Sequence, residues 1–296
     1  MDLIAVGDLM LDVRADTGAL AHGGDVHGRV AVQPGGTSAN AAVWAAWQGA
    51  SAQVYGRVGD DLVGRLLRDC LAARGVEAVL SLDPGAPTGT MLVVHEQGER
   101  SMVADRGANA RLSVDDLPPS LEAGVVLVSG YLLLQPGGHD AAIAALERAR
   151  ATHVGIDAAS WPLVDAFGAD RFFEETVTAS AVLANEREAY ALTGLEGMAA
   201  AAALGERYAV AAVKRGARGA VLVVDGVPVR ADAETILEAD PTGAGDAFDA
   251  VLLVGLLRGD EPPVALQQAC HAGALVASSG TGWPVEGSSA PNEASS

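Results

Sequence analysis

The sequence predicts an α/β fold in which helices cover both faces of a mostly parallel β-sheet. Short apolar segments typical of buried strands alternate along the chain with alanine- and leucine-rich segments typical of helices. Because ligands of open α/β sheets bind at the carboxyl ends of the strands, polar residues that end several strands should face one crevice. Strands are expected at residues 3–6, 125–129, 154–157, 181–185 and 209–214, the last four ending at Ser129, Asp157, Asn185 and Lys214.

Length and cysteine content narrow the class of protein. A chain of 296 residues can bury a large core, either as one α/β domain or as a domain with a small appendage. No apolar run reaches membrane-spanning length, and residues 1–3 lack the features of a signal peptide. Two cysteines, Cys70 and Cys270, are too few for a disulfide framework. We therefore expect a cytoplasmic protein with no membrane partner.

The charge of the chain also excludes a class of partner. A formal net charge of -19 argues against nucleic acid, because binding to a phosphate backbone needs a basic face. A single nucleotide needs only local N–H dipoles and a cation, so the overall charge does not exclude one.

The most informative segment is a glycine-rich turn that precedes a predicted buried helix at residues 247–257. The turn contains Gly243, Ala244 and Gly245, where unpaired N–H groups and the positive end of a helix dipole would attract an anion. A carboxylate beside a phosphate would repel it, so Asp246 is better explained as a base that takes a proton from an attacking hydroxyl. A glycine-rich loop capped by aspartates remains the alternative.

A second glycine-rich turn, at residues 34–40, precedes a helix predicted at residues 41–50, and the first strand leads into residues 7–12. With the segment 240–246, these features resemble the PfkB (ribokinase-like) family of carbohydrate kinases over about residues 3–284. The resemblance extends to several shorter motifs, namely residues 57–61 with Gly64, residues 74–76, Asn185 with Glu188, and residues 214–219.

The resemblance implies a three-layer sandwich with a central mostly parallel sheet and a small β-lid. Residues 13–33 and 88–103, which interrupt the α/β alternation with short extended pieces, would form the lid and close over the acceptor. They could instead be surface hairpins. The kinase domain would then cover residues 1–284, with residues 285–296 a disordered tail and the lid a candidate homodimer contact.

The resemblance assigns roles to residues around the acceptor and the transferred phosphoryl group. Asp246 would be the catalytic base, with Gly243, Ala244 and Gly245 as the anion hole. Asp12 would accept hydrogen bonds from sugar hydroxyls, although it could be a strand-end cap. Three further residues would complete the acceptor side, namely the hinge glycines Gly35 and Gly36 and the polar residue Asn40. The alternative is that these residues only form the start of a helix.

On the nucleotide side, Asn185 and Glu188 match the N-x-x-E motif of the family, in which the glutamate helps to hold magnesium and its water shell. Asn185 would contact the nucleotide, and Gly216 and Gly219 match the loop that lines ATP. Candidate phosphate contacts are Lys214 and Arg215, and His271 would lie beside the adenine unless it is an ordinary helix residue. Asp240 and the Thr242 carbonyl match a monovalent-cation site that occurs in the family members activated by potassium. The sequence leaves open whether this chain keeps the potassium site.

The sequence identifies the phosphoryl acceptor less closely than the phosphoryl donor. Ribokinases carry a glutamate soon after the mid-chain strand, whereas this chain has Tyr131 and Gln135 there, so ribose is not favoured. Arg106 could meet an acidic group of the substrate or form a structural salt bridge. The resemblance implies an ATP-dependent kinase acting on a primary hydroxyl of a sugar or sugar-like molecule. A nucleoside kinase and a non-catalytic sugar- or nucleotide-binding regulator are the alternatives.

Overall fold

The computed structural model describes residues 1–21, 23–96, 99–237 and 239–285. The tail predicted from residue 285 lies outside the described residues except for Val285. Within the described ranges, no helix is both long enough and apolar enough to cross a membrane.

The strands of the described residues form three sheets, of nine, four and two strands. They are β1 (Leu3–Val6), β2 (Met10–Thr17), β3 (Gly28–Gly35), β4 (Ala52–Gly59), β5 (Val76–Asp83), β6 (Gly89–Glu96), β7 (Glu99–Asp105), β8 (Leu121–Glu122), β9 (Val125–Val128), β10 (Ala149–Arg150), β11 (His153–Asp157), β12 (Ala181–Asn185), β13 (Val210–Lys214), β14 (Ala220–Val224) and β15 (Val227–Ala231).

The helices lie between these strands, except for the last two, which follow β15. They are α1 (Thr37–Trp47), α2 (Leu62–Ala73), α3 (Gly130–Leu133), α4 (His139–Arg148), α5 (Trp161–Phe167), α6 (Ala169–Glu175), α7 (Glu186–Thr193), α8 (Gly197–Gly205), α9 (Ala244–Arg258) and α10 (Pro262–Ser279). Short 3-10 turns cover Gly107–Arg111, Val114–Asp116 and Gly216–Arg218.

The central sheet has the strand order β15-β14-β13-β12-β11-β9-β1-β4-β5. From β13 to β5 every neighbouring pair is parallel, and β14 pairs antiparallel with both β13 and β15. The predicted mostly parallel sheet is therefore confirmed, with an antiparallel edge that the sequence interpretation did not include.

Two hydrophobic cores lie on opposite faces of this sheet. Successive side chains of a strand point to opposite faces, so Leu3 and Ala5 of β1 join one core while Ile4 and Val6 join the other. Helices α1, α2, α9 and α10 pack on the first face, and α4 to α8 pack on the second. Strands buried on both faces read as continuous apolar runs, which is why the sequence pattern predicts them well.

A second sheet, with the order β3-β2-β6-β7, contains the two segments for which a lid is predicted, and this sheet is called the lid below. It begins at Met10 rather than at residue 13, so Asp12 lies inside β2 and is not a strand-end residue. The i, i+2 spacing places Met10, Asp12 and Arg14 on one face of the lid, and all three are buried. The lid therefore contributes a carboxylate and an arginine to the side that faces the body of the protein.

Candidate active site

The carboxyl edge of the central sheet and the inner face of the lid enclose a cleft of about 740 Å³. Asp157, Asn185 and Lys214 line it, as predicted from the strand ends. Ser129, which was expected with them, is 1% exposed and does not line the cleft. The wall also includes the glycine-rich turn before α9 and the apolar lid residues Met10, Met91, Met102 and Ala104.

The first turn of α9 has the geometry of an anion-binding site. Gly243 precedes the helix with φ 89°, a left-handed conformation that favours glycine, and an added Cβ would lie 3.1 Å from Gly282 Cα. The Ala244 N–H donates to the Pro241 carbonyl at 3.0 Å. The N–H groups of Gly245 and Asp246 belong to the first turn of α9, and N–H groups of a first turn have no acceptor within their own helix. Backbone N–H groups at the N-terminus of a helix stabilise a bound anion, and these two donors are in that position.

Asp246 is held beside these donors by a residue of α1. Asn40 Nδ2 donates to Asp246 Oδ2 at 2.7 Å, and Trp283 Nε1 donates to Asn40 Oδ1 at 2.9 Å. Burial raises the pKa of Asp246 to about 7, although the Asn40 hydrogen bond acts in the opposite direction. A carboxyl group with a pKa near neutrality is matched to accept a proton at physiological pH.

Asp12 lies on the lid side of the same cleft and is 6% exposed. Burial raises its pKa to about 6, while the nearby Arg14 lowers it. An added Cβ at Gly35 would lie 2.5 Å from Asp12 Oδ2, so Gly35 makes room for this carboxyl group without lining the cleft itself. Gly36 does line the cleft and has φ 98°, so the left-handed position of the predicted hinge belongs to Gly36 alone.

Arg106 lines the cleft and is also ion-paired. Its Nη2 lies 2.9 Å from Asp8 Oδ1, and Asp8, which is 4% exposed, lines the cleft beside it. Arg106 therefore forms the predicted salt bridge while it lines the cleft, and its contact with an acidic group of the substrate stays a prediction. Tyr131 lines the cleft nearby, and burial followed by the Asp157 carboxylate raises the pKa of its hydroxyl.

Lys214, the last residue of β13, reaches a buried carboxylate cluster. Its Nζ lies 2.8 Å from both carboxylate oxygens of Asp249 and 3.1 Å from Asp157 Oδ2. Burial opposes its charged form, but the carboxylates of Asp249 and Asp157 raise its pKa, so the ammonium group stays protonated. The same Nζ would lie 3.4 Å from a Cβ added at Gly245, which places its charge next to the anion-binding turn.

Asn185 and Glu188 form a capping box at the start of α7. Asn185 Oδ1 accepts from the N–H of Glu188 at 3.0 Å, and Glu188 Oε2 accepts from the N–H of Asn185 at 2.7 Å. Both residues line the cleft. Burial, followed by the Asp157 carboxylate, raises the pKa of Glu188 to about 7. A buried carboxyl group beside a second carboxylate is stabilised by a cation, so these residues fit magnesium that keeps most of its water.

The nucleotide side of the cleft contains Gly216 and Gly219 as predicted, but not His271. His271 Nδ1 lies 2.7 Å from Glu234 Oε1, which turns the imidazole toward the surface loop. Cys270, the preceding residue of α10, lines the cleft instead. The candidate phosphate contact Arg215 lies 3.5 Å from Glu186.

The expected potassium ligands lie at the edge of this site. Thr242 lines the cleft, whereas Asp240 is 4% exposed and lies behind it. Asp240 Oδ1 accepts from Thr242 N at 2.9 Å and from Thr242 Oγ1 at 2.7 Å. Its other oxygen, Oδ2, lies 3.1 Å from Arg14 Nη1. A guanidinium group therefore lies against the predicted potassium ligand.

Sequence reasoning missed the residues that hold the site together. Asp8 lies in the segment 7–12 that carries the resemblance, but no role was predicted for it, and Arg14, Asp249 and Trp283 belong to no predicted motif. Each acts through a partner far away in the chain. A buried arginine or aspartate within an apolar run, such as Asp249 in α9, is the one sequence signal that could have marked them.

Comparison with known proteins shows the family of the chain. A model of the pfkB family of carbohydrate kinases matches residues 1–284. A fructokinase from Klebsiella pneumoniae is 30% identical over 274 residues, covering 86% of this chain and 89% of that protein. The solved structure of an adenosine kinase from Sinorhizobium meliloti matches with TM-score 0.85 and 25% identity over 99% of this chain and 98% of that one. The chain therefore belongs to the PfkB family of carbohydrate kinases.

A further solved structure, a putative ribokinase II from E. coli in complex with ATP and Mg²⁺, matches with TM-score 0.83 and 22% identity. The match covers 94% of this chain and 92% of the ribokinase II chain. The ribokinase-like fold and the kinase class predicted from the sequence are thus confirmed.

Proposed function

We propose that the protein transfers the γ-phosphoryl group of ATP to a primary hydroxyl of a sugar or sugar-like acceptor, with Asp246 as the general base. The observation that carries this proposal is the position of Asp246, which lies in the first turn of α9 with its carboxyl group in the cleft. Asp12 and Asp246 line the same cleft, so an acceptor held by Asp12 would lie near the base.

The proposed reaction moves one proton and exchanges one bond at phosphorus. The acceptor hydroxyl gives its proton to Asp246 as its oxygen forms a bond to the γ-phosphorus. The bond between that phosphorus and the bridging oxygen breaks, and ADP leaves with that electron pair. The N–H groups of Gly245 and Asp246 would stabilise the charge on the phosphoryl oxygens, and the Lys214 ammonium group adds positive charge beside them.

Magnesium would be held through its water shell by Glu188 and Asn185, and when bound it neutralises charge on the phosphates. Gly216 and Gly219 would lie along the nucleotide. The lid residues Met91 and Met102 would exclude water, which otherwise competes as the phosphoryl acceptor. Potassium has no part in this proposal, because Arg14 lies against Asp240.

A nucleoside kinase on the same scaffold is the second candidate. The apolar lid residues Met10, Met91 and Met102 could pack against a base, and an adenosine kinase is among the matched structures. A coupled assay of ADP formation across sugars and nucleosides distinguishes the two functions. ADP formation that depends on a sugar supports the proposal, and formation that depends only on nucleosides supports the second candidate. No acceptor-dependent ADP formation would indicate a non-catalytic binding protein.

Asp12→Ala is expected to raise KM for the acceptor about 10- to 150-fold and to leave KM for ATP within about twofold. The carboxylate is proposed to contact only the acceptor, and each charged hydrogen bond lost costs about 1.5–3 kcal/mol. Initial rates with each substrate varied in turn measure both constants. Asp16→Ala, at an exposed aspartate of the same strand, is the matched control. An equal rise in both KM values would assign Asp12 a structural role.

We also propose that the lid forms a homodimer contact. The outer face of the lid carries a row of apolar residues that pair across all four strands, Val32, Val13, Leu92 and Val103. Val32 is 61% and Val103 is 65% exposed. A contiguous apolar row of this kind on a surface is typical of an interface.

Val32→Asp is expected to convert a dimer into a monomer, because a charge would be buried at the centre of the contact. Light scattering coupled to size exclusion measures the mass of each form. Val227→Asp, at a valine with 63% exposure outside the lid, is the matched control and should leave the mass unchanged. A wild-type protein that is monomeric at micromolar concentration would contradict the lid contact.

A further inference from the structure

An arginine of the lid contacts Asp240, one of the two residues that the family resemblance matches to a monovalent-cation site. Arg14 lies on β2 and is 8% exposed. Its Nη1 lies 3.1 Å from Asp240 Oδ2 and donates to the carbonyl of Gly280, which follows α10. The guanidinium group therefore bridges a carboxylate and a backbone carbonyl from two separate loops, which are the kinds of oxygen that would coordinate an alkali ion.

The rest of the guanidinium group is also held. The Gln33 amide, with its oxygen toward Arg14, accepts from Nε at 3.0 Å and from Nη2 at 2.8 Å. His95 Nε2 lies 3.4 Å from the same Asp240 oxygen. Arg14 and His95 both lie on lid strands, so two side chains of the lid contact Asp240, and Gln33 holds the arginine in place. This arrangement fits a planar fork of N–H donors and does not fit a spherical ion.

Charge and ligand chemistry both oppose potassium at this position. An arginine keeps its positive charge at any physiological pH, and a second cation in contact with Asp240 Oδ2 would repel it strongly in a buried site. Asp240 Oδ2 is already ion-paired with Arg14, and the Gly280 carbonyl already accepts a hydrogen bond from it. The residues present therefore do not fit the potassium ion that the resemblance allows.

The position of Asp240 explains why a cation there matters to the reaction site. Asp240 Oδ1 accepts two hydrogen bonds from Thr242, the residue immediately before Gly243 and the anion-binding turn. A positive charge beside the other carboxylate oxygen fixes the position of Asp240 and thereby orients this turn. Since Arg14 belongs to the lid, the same contact ties the lid to the turn.

We propose that Arg14 is a built-in replacement for the activating monovalent cation, so that this protein works without potassium. Arg14 is a positioning residue, acting through Asp240 on the turn that holds the transferred phosphoryl group. The rate measurements below rest on the proposed kinase function.

The first test compares initial rates of the full-length protein in potassium chloride and in tetramethylammonium chloride, both at about 0.1 M ionic strength. Wild-type rates within about twofold of each other are expected, and a larger stimulation by potassium would overturn the proposal. Arg14→Met should lower kcat about 10- to 100-fold in tetramethylammonium chloride, the loss of one charged hydrogen-bonded contact. Arg29→Met, at an exposed arginine of the neighbouring lid strand, should not lower it.

The variant also separates a role of the charge from a purely structural role. Partial return of the Arg14→Met rate on adding potassium chloride or guanidinium chloride is expected, because either ion restores a positive charge beside Asp240. No return with either ion would show that Arg14 acts only by packing, which would overturn the assignment.

A measurement that needs neither activity nor a variant completes the test. Crystals of the wild-type protein soaked in rubidium chloride should show no anomalous peak within coordination distance of Asp240 Oδ2. A peak there would overturn the proposal. If no acceptor yields ADP, the kinase proposal fails while the crystallographic result still decides whether Arg14 replaces the cation.

Discussion

Asp246→Asn is expected to lower kcat about 10²- to 10⁴-fold while the Kd for ATP stays within about threefold. The amide keeps the size of the side chain, but it cannot take the proton of the acceptor hydroxyl. The N–H donors of the first turn of α9 belong to the backbone and remain in place. Single-turnover phosphoryl transfer and calorimetric binding of ATP measure the two quantities.

Asp165→Asn, at an exposed aspartate outside the cleft, is the matched control for this variant and should retain the wild-type kcat. An Asp246→Asn protein with near wild-type kcat would remove Asp246 from the mechanism. Loss of ATP binding together with turnover would instead assign Asp246 to the structure of the turn.

Lys214→Met is expected to lower the free energy of unfolding by about 3–5 kcal/mol, because it leaves buried carboxylates without their cation. Asp249 is 1% exposed and has both carboxylate oxygens 2.8 Å from Lys214 Nζ. Urea denaturation at pH 7 measures the loss. The double variant Lys214→Met/Asp249→Leu removes the unpaired charge and should recover much of the stability. A single variant within about 1 kcal/mol of the wild type would contradict the role of this ion pair.

The loss in Lys214→Met should also grow with pH. Burial already raises the pKa of Asp249 above its usual value, and removing the ammonium group raises it further. A carboxyl group with a raised pKa in the folded state contributes stability below its unfolded pKa of about 3.9, and that contribution disappears as pH rises through the folded pKa. The deficit relative to the wild type should therefore be smaller at pH 5 than at pH 8.

The fold was predictable to the extent that it depends on local pattern. Strands such as β9 and β13 are buried on both faces and read as apolar runs, and glycines with positive φ mark the turns at Gly36 and Gly243. The antiparallel edge was not predicted, because β14 and β15 are as apolar as short parallel strands and only pairing reveals their direction.

The candidate site was predictable in its motif residues and not in the contacts that position them. The sequence pointed to both Asn40 and Asp246, but their hydrogen bond joins residues 206 positions apart. Arg14 carried no signal, since its partners Asp240 and Gly280 come near it only when the lid meets the body. Long-range pairing depends on strand register and layer packing, which spacing along one sequence does not encode.

The dependence of kcat/KM on pH tests the central claim, that Asp246 takes the proton of the acceptor. The base must be ionised to act, and burial raises the pKa of Asp246 to about 7. We expect kcat/KM to fall at least tenfold for each pH unit below that pKa and to level off above it. The fall should be less steep for the residual activity of Asp246→Asn, because only Asp12 and Glu188, whose pKa values are also raised, still have to lose a proton. A wild-type profile that stays flat between about pH 5 and pH 8, the span on either side of that pKa, would contradict the claim.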